Sequence, residues 1–428
     1  MMDSSFKIPG IYCINHRFQV PLDYATKNMP QISVFARELR AIRHQNSDRP
    51  YLVYFQGGPG FPAGRPLSSS GWLKRALEEY HVILLDQRGT GLSSPIDSDQ
   101  VFAHSRDPQQ QADFLSHFRA DNIVRDAEFI RQKLLGKKTW SLLGQSYGGF
   151  CILSYLSMHP EGVTEAYITG GIPPLQRHVD DVYRATYRRL LSKNQEYFHR
   201  YPDDQKLCQK IASFLNHHET FLPNGQRLTC RMFQQLGLQL GMDQGFEEVH
   251  YLLEQAFPTV SEDSLSYFFL HQMLLSSSFD TNPIYSLLHE PIYCQNFASL
   301  WSAHRIRDEF SEFHFAEGKD FYFTGEMIYP WMFEDYQRLQ SLKETAEILA
   351  AKDDWPRLYD SEKLNANRVP CAAAVYENDM YVEREFSLET AQHVQALKIW
   401  VTSEYEHNGI RMDGYKILDR LIELVKNT

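Results

Sequence analysis

No apolar run in this chain approaches the roughly 20 residues that a membrane-spanning helix needs. Residues 1–10 also lack the apolar stretch of a secretory signal, so a cytoplasmic location is expected. Cysteine is sparse and scattered: Cys13, Cys151, Cys208, Cys230, Cys294 and Cys371 lie far apart, with no CxxC pair. Such spacing argues against a disulfide framework or a metal centre, and the expectation is reduced thiols with neither metal nor cofactor. Runs of Lys and Arg are missing too. The 43 basic residues are outnumbered by 54 acidic ones, for a formal charge of −11. Nucleic acid and anionic membrane are therefore not the expected partners. Internal repeats and low-complexity tracts are absent.

What is present is length and alternation. At 428 residues the chain exceeds what one core usually supports, which implies a main domain with a large insertion or a second domain. In the first third, RFQVPLDY and ISVFARELRAI read as an antiparallel hairpin. Apolar runs at 49–60, 80–91, 138–149 and 163–174 then read as strands, separated by helix-length segments. That pattern predicts a mostly parallel sheet with helices on both faces. From about 175 to 360, strand-like runs give way to aromatic-rich helical segments. Strand character returns at 369–379 and 396–409, and an amphipathic helix over 415–427 closes the chain. The expected organisation is a core built from 1–174 and 361–428, with 175–360 as a helical cap.

Chemistry concentrates at Gly144-Gln145-Ser146-Tyr147-Gly148-Gly149. GxSxG alone is a weak signal. Here it follows the apolar run WSLLG and opens a segment of helical periodicity, which is the context of the nucleophile elbow in the α/β-hydrolase fold. Ser146 is therefore the expected nucleophile. A serine hydroxyl needs a base, and the base needs an orienting acid, which in this fold follow in the order Ser, Asp/Glu, His. After Ser146 the sheet resumes twice, and those two strands end at Asp379 and at His407, one of seventeen histidines. Glu377 and Glu383 are neighbouring carboxylates that also suit the acid's role. The oxyanion requires backbone N–H donors. One is expected from Tyr147, the other from Gly57 or Gly58 in the turn Gln56-Gly57-Gly58-Pro59-Gly60. Asp86 and Arg88, after the second core strand, are expected to brace loops rather than react.

GGPGFP (57–62), DQRGTGLS (86–93) and GQSYGGF (144–150) together resemble the prolyl aminopeptidases, or proline iminopeptidases, in the longer class of that family. HEPIYC (289–294) and FTGEMIYPWMFE (323–334) in the insertion are similar to it as well. The resemblance implies a serine aminopeptidase whose substrate is a small peptide with a free N-terminal proline. It further implies that carboxylates of the insertion hold the substrate amine, with Glu326 the better match and Glu290 the second, and that Phe61, Tyr147 and Trp331 are candidates to wall the proline ring. Gln56 stands where small-form members commonly carry His, a departure that touches the support of the site and leaves the triad intact. Two other readings remain at this point: an esterase or amidase on the same scaffold, and a non-catalytic binding protein that retains the fold.

Overall fold

The computed structural model describes residues 4–26, 29–258, 263–276, 279 and 281–426. Nine strands form one sheet: β1 (Ser5–Ile8), β2 (Ile11–Pro21), β3 (Gln31–Ala41), β4 (Tyr51–Phe55), β5 (His81–Leu85), β6 (Trp140–Gln145), β7 (Val163–Thr169), β8 (Cys371–Tyr376) and β9 (Leu397–Thr402). Their order across the sheet is β1-β2-β3-β5-β4-β6-β7-β8-β9. The first three strands pair antiparallel with each other, and β3 pairs antiparallel with β5. From β5 to β9 every pairing is parallel. β1 was not among the expected strands. Three of its four residues are exposed, so it carries no apolar pattern to read.

The central strands are apolar on both faces because both faces are covered. Alternate residues feed two cores. Val53, Phe55, Leu142, Ile168 and Ala373 point to one side, under the helices Ala120–Leu135 and Tyr147–Met158. Leu52, Tyr54, Leu143, Tyr167 and Ala374 point to the other. There they meet the closing helix Gly414–Lys426, whose Ile417, Leu418, Leu421 and Ile422 form its buried stripe. Residues 1–3 and Asn427, at the ends of the segments considered above, lie outside the described residues.

Between β7 and β8, among the described residues, the chain forms helices and turns and no strand beyond a single bridge between Phe221 and Arg227. Its longest helices are Val179–Arg200 and Pro202–His217. Arg119, at the start of the helix Ala120–Leu135, fastens this stretch to the sheet-bearing part. Its guanidinium donates to the carbonyls of Pro291, Cys294 and Pro356 and lies over the Trp355 ring. No helix of the described residues is long and apolar enough to cross a membrane.

Candidate active site

β6 ends at Gln145 and the helix Tyr147–Met158 begins two residues on, which leaves Ser146 alone to make the turn. Its backbone is forced to φ 54° and ψ −125°. For a residue with a Cβ that conformation costs about 1–3 kcal/mol, and the packing around it must hold it there. Gly148 permits that packing: a Cβ there would come within 2.1 Å of the Phe55 carbonyl oxygen at the end of β4. Serine is thereby lifted to the carboxyl edge of the parallel strands, on the wall of a cavity of about 200 Å³.

The loops after β8 and β9 bring Asp379 and His407 together. His407 Nδ1 lies 2.7 Å from Asp379 Oδ2, and both side chains are buried. The other carboxylate oxygen, Oδ1, accepts from the backbone N–H of Tyr381 at 2.8 Å and of Val382 at 3.0 Å, which fixes the acid's orientation. With Nδ1–H donating to Asp379, the His407 Nε2 lone pair is left facing the cavity, where Gln145 Nε2 stands 3.5 Å away. Burial alone would lower the imidazole pKa. The charge and hydrogen bond of Asp379, with a further contribution from Glu326, outweigh it and hold His407 above its ordinary 6.5. No hydrogen bond joins Ser146 Oγ to His407 among the described residues. Contacts of this kind commonly tighten only around the substrate. Glu377 and Glu383 point elsewhere, to Arg384 and Arg189 respectively.

Gly57 lies directly against the nucleophile: a Cβ added to it would sit 3.0 Å from Ser146 Cβ and 2.7 Å from Gln145 Oε1. No acceptor among the described residues takes the backbone N–H of Gly57, Gly58 or Tyr147. The Tyr147 ring itself is buried, tilted against Phe150 at 6.0 Å, and does not line the cavity.

The cavity's far wall comes from the stretch between β7 and β8. Glu326 faces it with its side chain 17 % exposed. Tyr285 Oη donates to Glu326 Oε1 at 2.6 Å, and His289 Nε2 lies 3.5 Å from Oε2. Tyr183 Oη in turn meets His289 Nδ1 at 3.1 Å. Burial pushes the Glu326 carboxyl upward, but His289, the Tyr285 hydroxyl and the charge of His407 hold it below its usual 4.5. A carboxylate so poised is ionised at neutral pH. Phe61 also lines the cavity, with its ring edge-on to Tyr285 at 5.4 Å.

Two residues expected here are elsewhere. Glu290 is turned inward, where its carboxylate accepts from the backbone N–H of Ser302 at 3.1 Å and of Ala303 at 2.8 Å. It secures the start of the helix Ser302–Arg307 and does not line the cavity. Trp331 stacks on Tyr329 and carries Arg231 over its ring, also away from the cavity. The sequence reading missed Tyr285, Tyr381, Leu238, Met242 and Arg411, all of which line it. Asp86 and Arg88 brace loops: Asp86 accepts from the N–H of Ala63 and Leu92, and Arg88 grips Asp126 and three carbonyls. No group of three or more His, Cys, Asp or Glu side chains among the described residues is arranged to hold a metal ion.

Comparison with known proteins places this geometry in context. Residues 50–283 match the family model of the alpha/beta hydrolase fold. A proline iminopeptidase of Aeromonas sobria is 51 % identical over 420 residues, covering 98 % of each chain. The proline iminopeptidase aneH of Aspergillus aculeatus is 35 % identical over 95 % of this chain and 92 % of its own. Among solved structures, esterase E22 is similar with a TM-score of 0.48 at 10 % identity, over 96 % of this chain and 100 % of that one.

Proposed function

This chain belongs to the proline iminopeptidase family of α/β-hydrolases, and from that premise we propose how its cavity releases an N-terminal proline. The enzyme is a serine aminopeptidase. Ser146 Oγ attacks the carbonyl carbon of the first residue while His407 Nε2 takes the hydroxyl proton. Asp379, already oriented by two backbone amides, stabilises the imidazolium that forms. The oxyanion is received by the free N–H of Tyr147 and by that of Gly57 or Gly58. His407 then gives its proton to the departing amine. A water activated by the same imidazole cleaves the prolyl ester, which returns Ser146 to its starting state.

Glu326 is the observation that carries the amino-terminal specificity. Among the described residues it is the one carboxylate that lines the cavity, and it stays ionised in a partly dry setting. Such a group pairs with a substrate ammonium, and the secondary ammonium of an N-terminal proline fits that demand. Phe61, Tyr285 and Tyr381 supply the apolar walls for the pyrrolidine ring. Residues 175–360 act in this reading as the cap that brings Glu326 over the triad. The substrate is a small peptide with a free N-terminus. Six cysteines without a disulfide among them suit a reducing, cytoplasmic setting.

The test is a panel of aminoacyl arylamides. Proline arylamide should be cleaved, N-acetylproline arylamide should not, and Ser146→Ala should abolish the reaction. Equal cleavage of the free and acetylated substrates would instead make this an esterase or amidase indifferent to the amine.

A further inference from the structure

Arg411 is the other charged end of the catalytic cavity. Among the described residues, the cavity lining holds one carboxylate, Glu326, and one permanent cation, Arg411. Arg411 belongs to the short helix Gly409–Met412, which follows His407 directly, and its backbone is tied down by a 2.8 Å bond from its N–H to Asn408 O. Asn408 is anchored in turn by accepting the N–H of Asp243 at 2.8 Å. The guanidinium lies close enough to the base that its charge opposes protonation of His407.

In an acidic chain, an arginine at such a position would ordinarily be paired. Neighbouring carboxylates are engaged elsewhere: Asp413 takes the hydroxyl of Tyr405 at 3.0 Å, and Glu406 takes Lys193. Among the described residues, no hydrogen bond or ion pair engages the Arg411 guanidinium. Its donors, at the cavity lining and in solvent, are therefore left without a protein acceptor among the described residues.

We propose that Arg411 binds the free C-terminal carboxylate of the departing amino acid or dipeptide, which makes short zwitterionic peptides the preferred substrates. This rests on the aminopeptidase reading above. A peptide held by its ammonium at Glu326 and cleaved at Ser146 directs its leaving group toward the loop that carries His407 and Arg411. Each further residue extends the leaving group by up to about 3.5 Å, so only a carboxylate one or two residues past the scissile bond remains within reach of a cavity this small. A planar guanidinium matches a carboxylate with two parallel N–H···O bonds. Because Arg411 is itself exposed, water and salt weaken the pairing, and the selectivity expected is modest.

The experiment compares prolylglycine with prolylglycinamide, which differ only in the terminal charge, alongside proline arylamide as a common reference. Rates are taken on the alkaline plateau, because losing the Arg411 charge also raises the His407 pKa. Wild type should favour the free acid over the amide in kcat/KM by roughly three- to tenfold. Arg411→Gln should collapse that ratio towards one, and Arg411→Lys should keep part of it. Wild-type indifference to amidation, or an unchanged ratio in Arg411→Gln while proline arylamide is still cleaved, would overturn the assignment of Arg411 alone. Failure of wild type to cleave any of the three substrates would overturn the aminopeptidase reading and this inference with it.

Discussion

At the scale of single residues, the site depends on groups that act through one another. Ser146→Ala and His407→Ala should each lower kcat by several orders of magnitude, and the double variant little further, since one proton transfer is lost in either case. Pre-steady-state and steady-state assays on proline arylamide check this, and additive losses would separate the two roles. Glu326→Gln offers a finer test. It removes a charge-assisted contact to the substrate ammonium, so kcat/KM for proline arylamide should fall by roughly ten- to a hundredfold. The Glu326 charge also helps to hold His407 above its ordinary pKa. Catalysis needs the neutral imidazole, so the wild-type acid limb should lie above pH 6.5 and move to lower pH in Glu326→Gln. A drop in rate with no displacement of the limb would mean that the Glu326 charge acts on the substrate ammonium and not on His407. The placement of Ser146, Asp379 and His407 just after the ends of β6, β8 and β9 was legible in the sequence, because chain order and strand ends constrain it. Glu290 was misjudged for a local reason. Consecutive residues of a helical turn point about 100° apart, and it is the adjacent His289 that reaches Glu326 while Glu290 turns to the amides of Ser302 and Ala303.

At the scale of elements, the parallel strands β4 to β8 were readable because they are buried almost throughout, and the four runs before residue 175 each end in glycine or proline. The edge strand β1, with three exposed residues, offered no such signal. The helical character of 175–360 was equally plain, but which of its side chains meet Ser146 depends on how its helices pack, and periodicity does not encode that. Tyr285 and Leu238 were missed for this reason. The antiparallel edge carries its own electrostatic device. Glu38 on β3 is 3 % exposed and bound by His16 at 2.9 Å, by Arg40 and by Tyr51 at 2.9 Å. Burial raises its pKa, but the bonds from His16, Arg40 and Tyr51 and the Arg40 charge bring it down to about 2. A depressed carboxyl contributes stability that is fully present above its unfolded value near 4.5 and disappears as pH falls towards 2. Glu38→Gln should therefore cost about 2–3 kcal/mol at pH 7. Thermal unfolding from pH 7 down to pH 4 should show the gap to wild type beginning to close below about 4.5. A gap that stayed constant with pH would mean that the ion pairs around Glu38 contribute nothing through charge.

At the scale of the whole molecule, the stretch between β7 and β8 does more than roof the cavity, because it holds the loops that carry His407 and Asp379, the proposed base and acid. Along the helix Val179–Arg200, Arg189 grips Glu383, four residues after Asp379, at 2.9 Å, and Lys193 grips Glu406, the residue before His407. Leu238 and Gly241 add carbonyl contacts to the Tyr381 hydroxyl and the His407 N–H. The loops of Asp379 and His407, the proposed acid and base, are thus clamped by this stretch, and the Lys193–Glu406 pair allows the clamp to be tested. Lys193 is almost wholly buried, and burial holds the Glu406 carboxyl above its usual 4.5 even with the ammonium beside it. Lys193→Met leaves that carboxylate unpaired, which should cost about 1–3 kcal/mol at pH 8. Its pKa should rise further still. A carboxyl whose folded pKa lies above its unfolded value favours the folded state most where it is protonated, so acidification towards pH 5.5 should restore much of the loss. Glu406→Gln in the Lys193→Met background should remove both the deficit and its pH dependence, because no buried charge then remains. If the clamp positions the base, kcat on proline arylamide should fall in Lys193→Met with KM little changed, and it should stay low in the double variant, which lacks the pair, even as stability returns. Recovery of kcat together with the melting temperature would show that Lys193 supports only the fold, while the geometry of His407 is held by the carbonyls of Leu238 and Gly241.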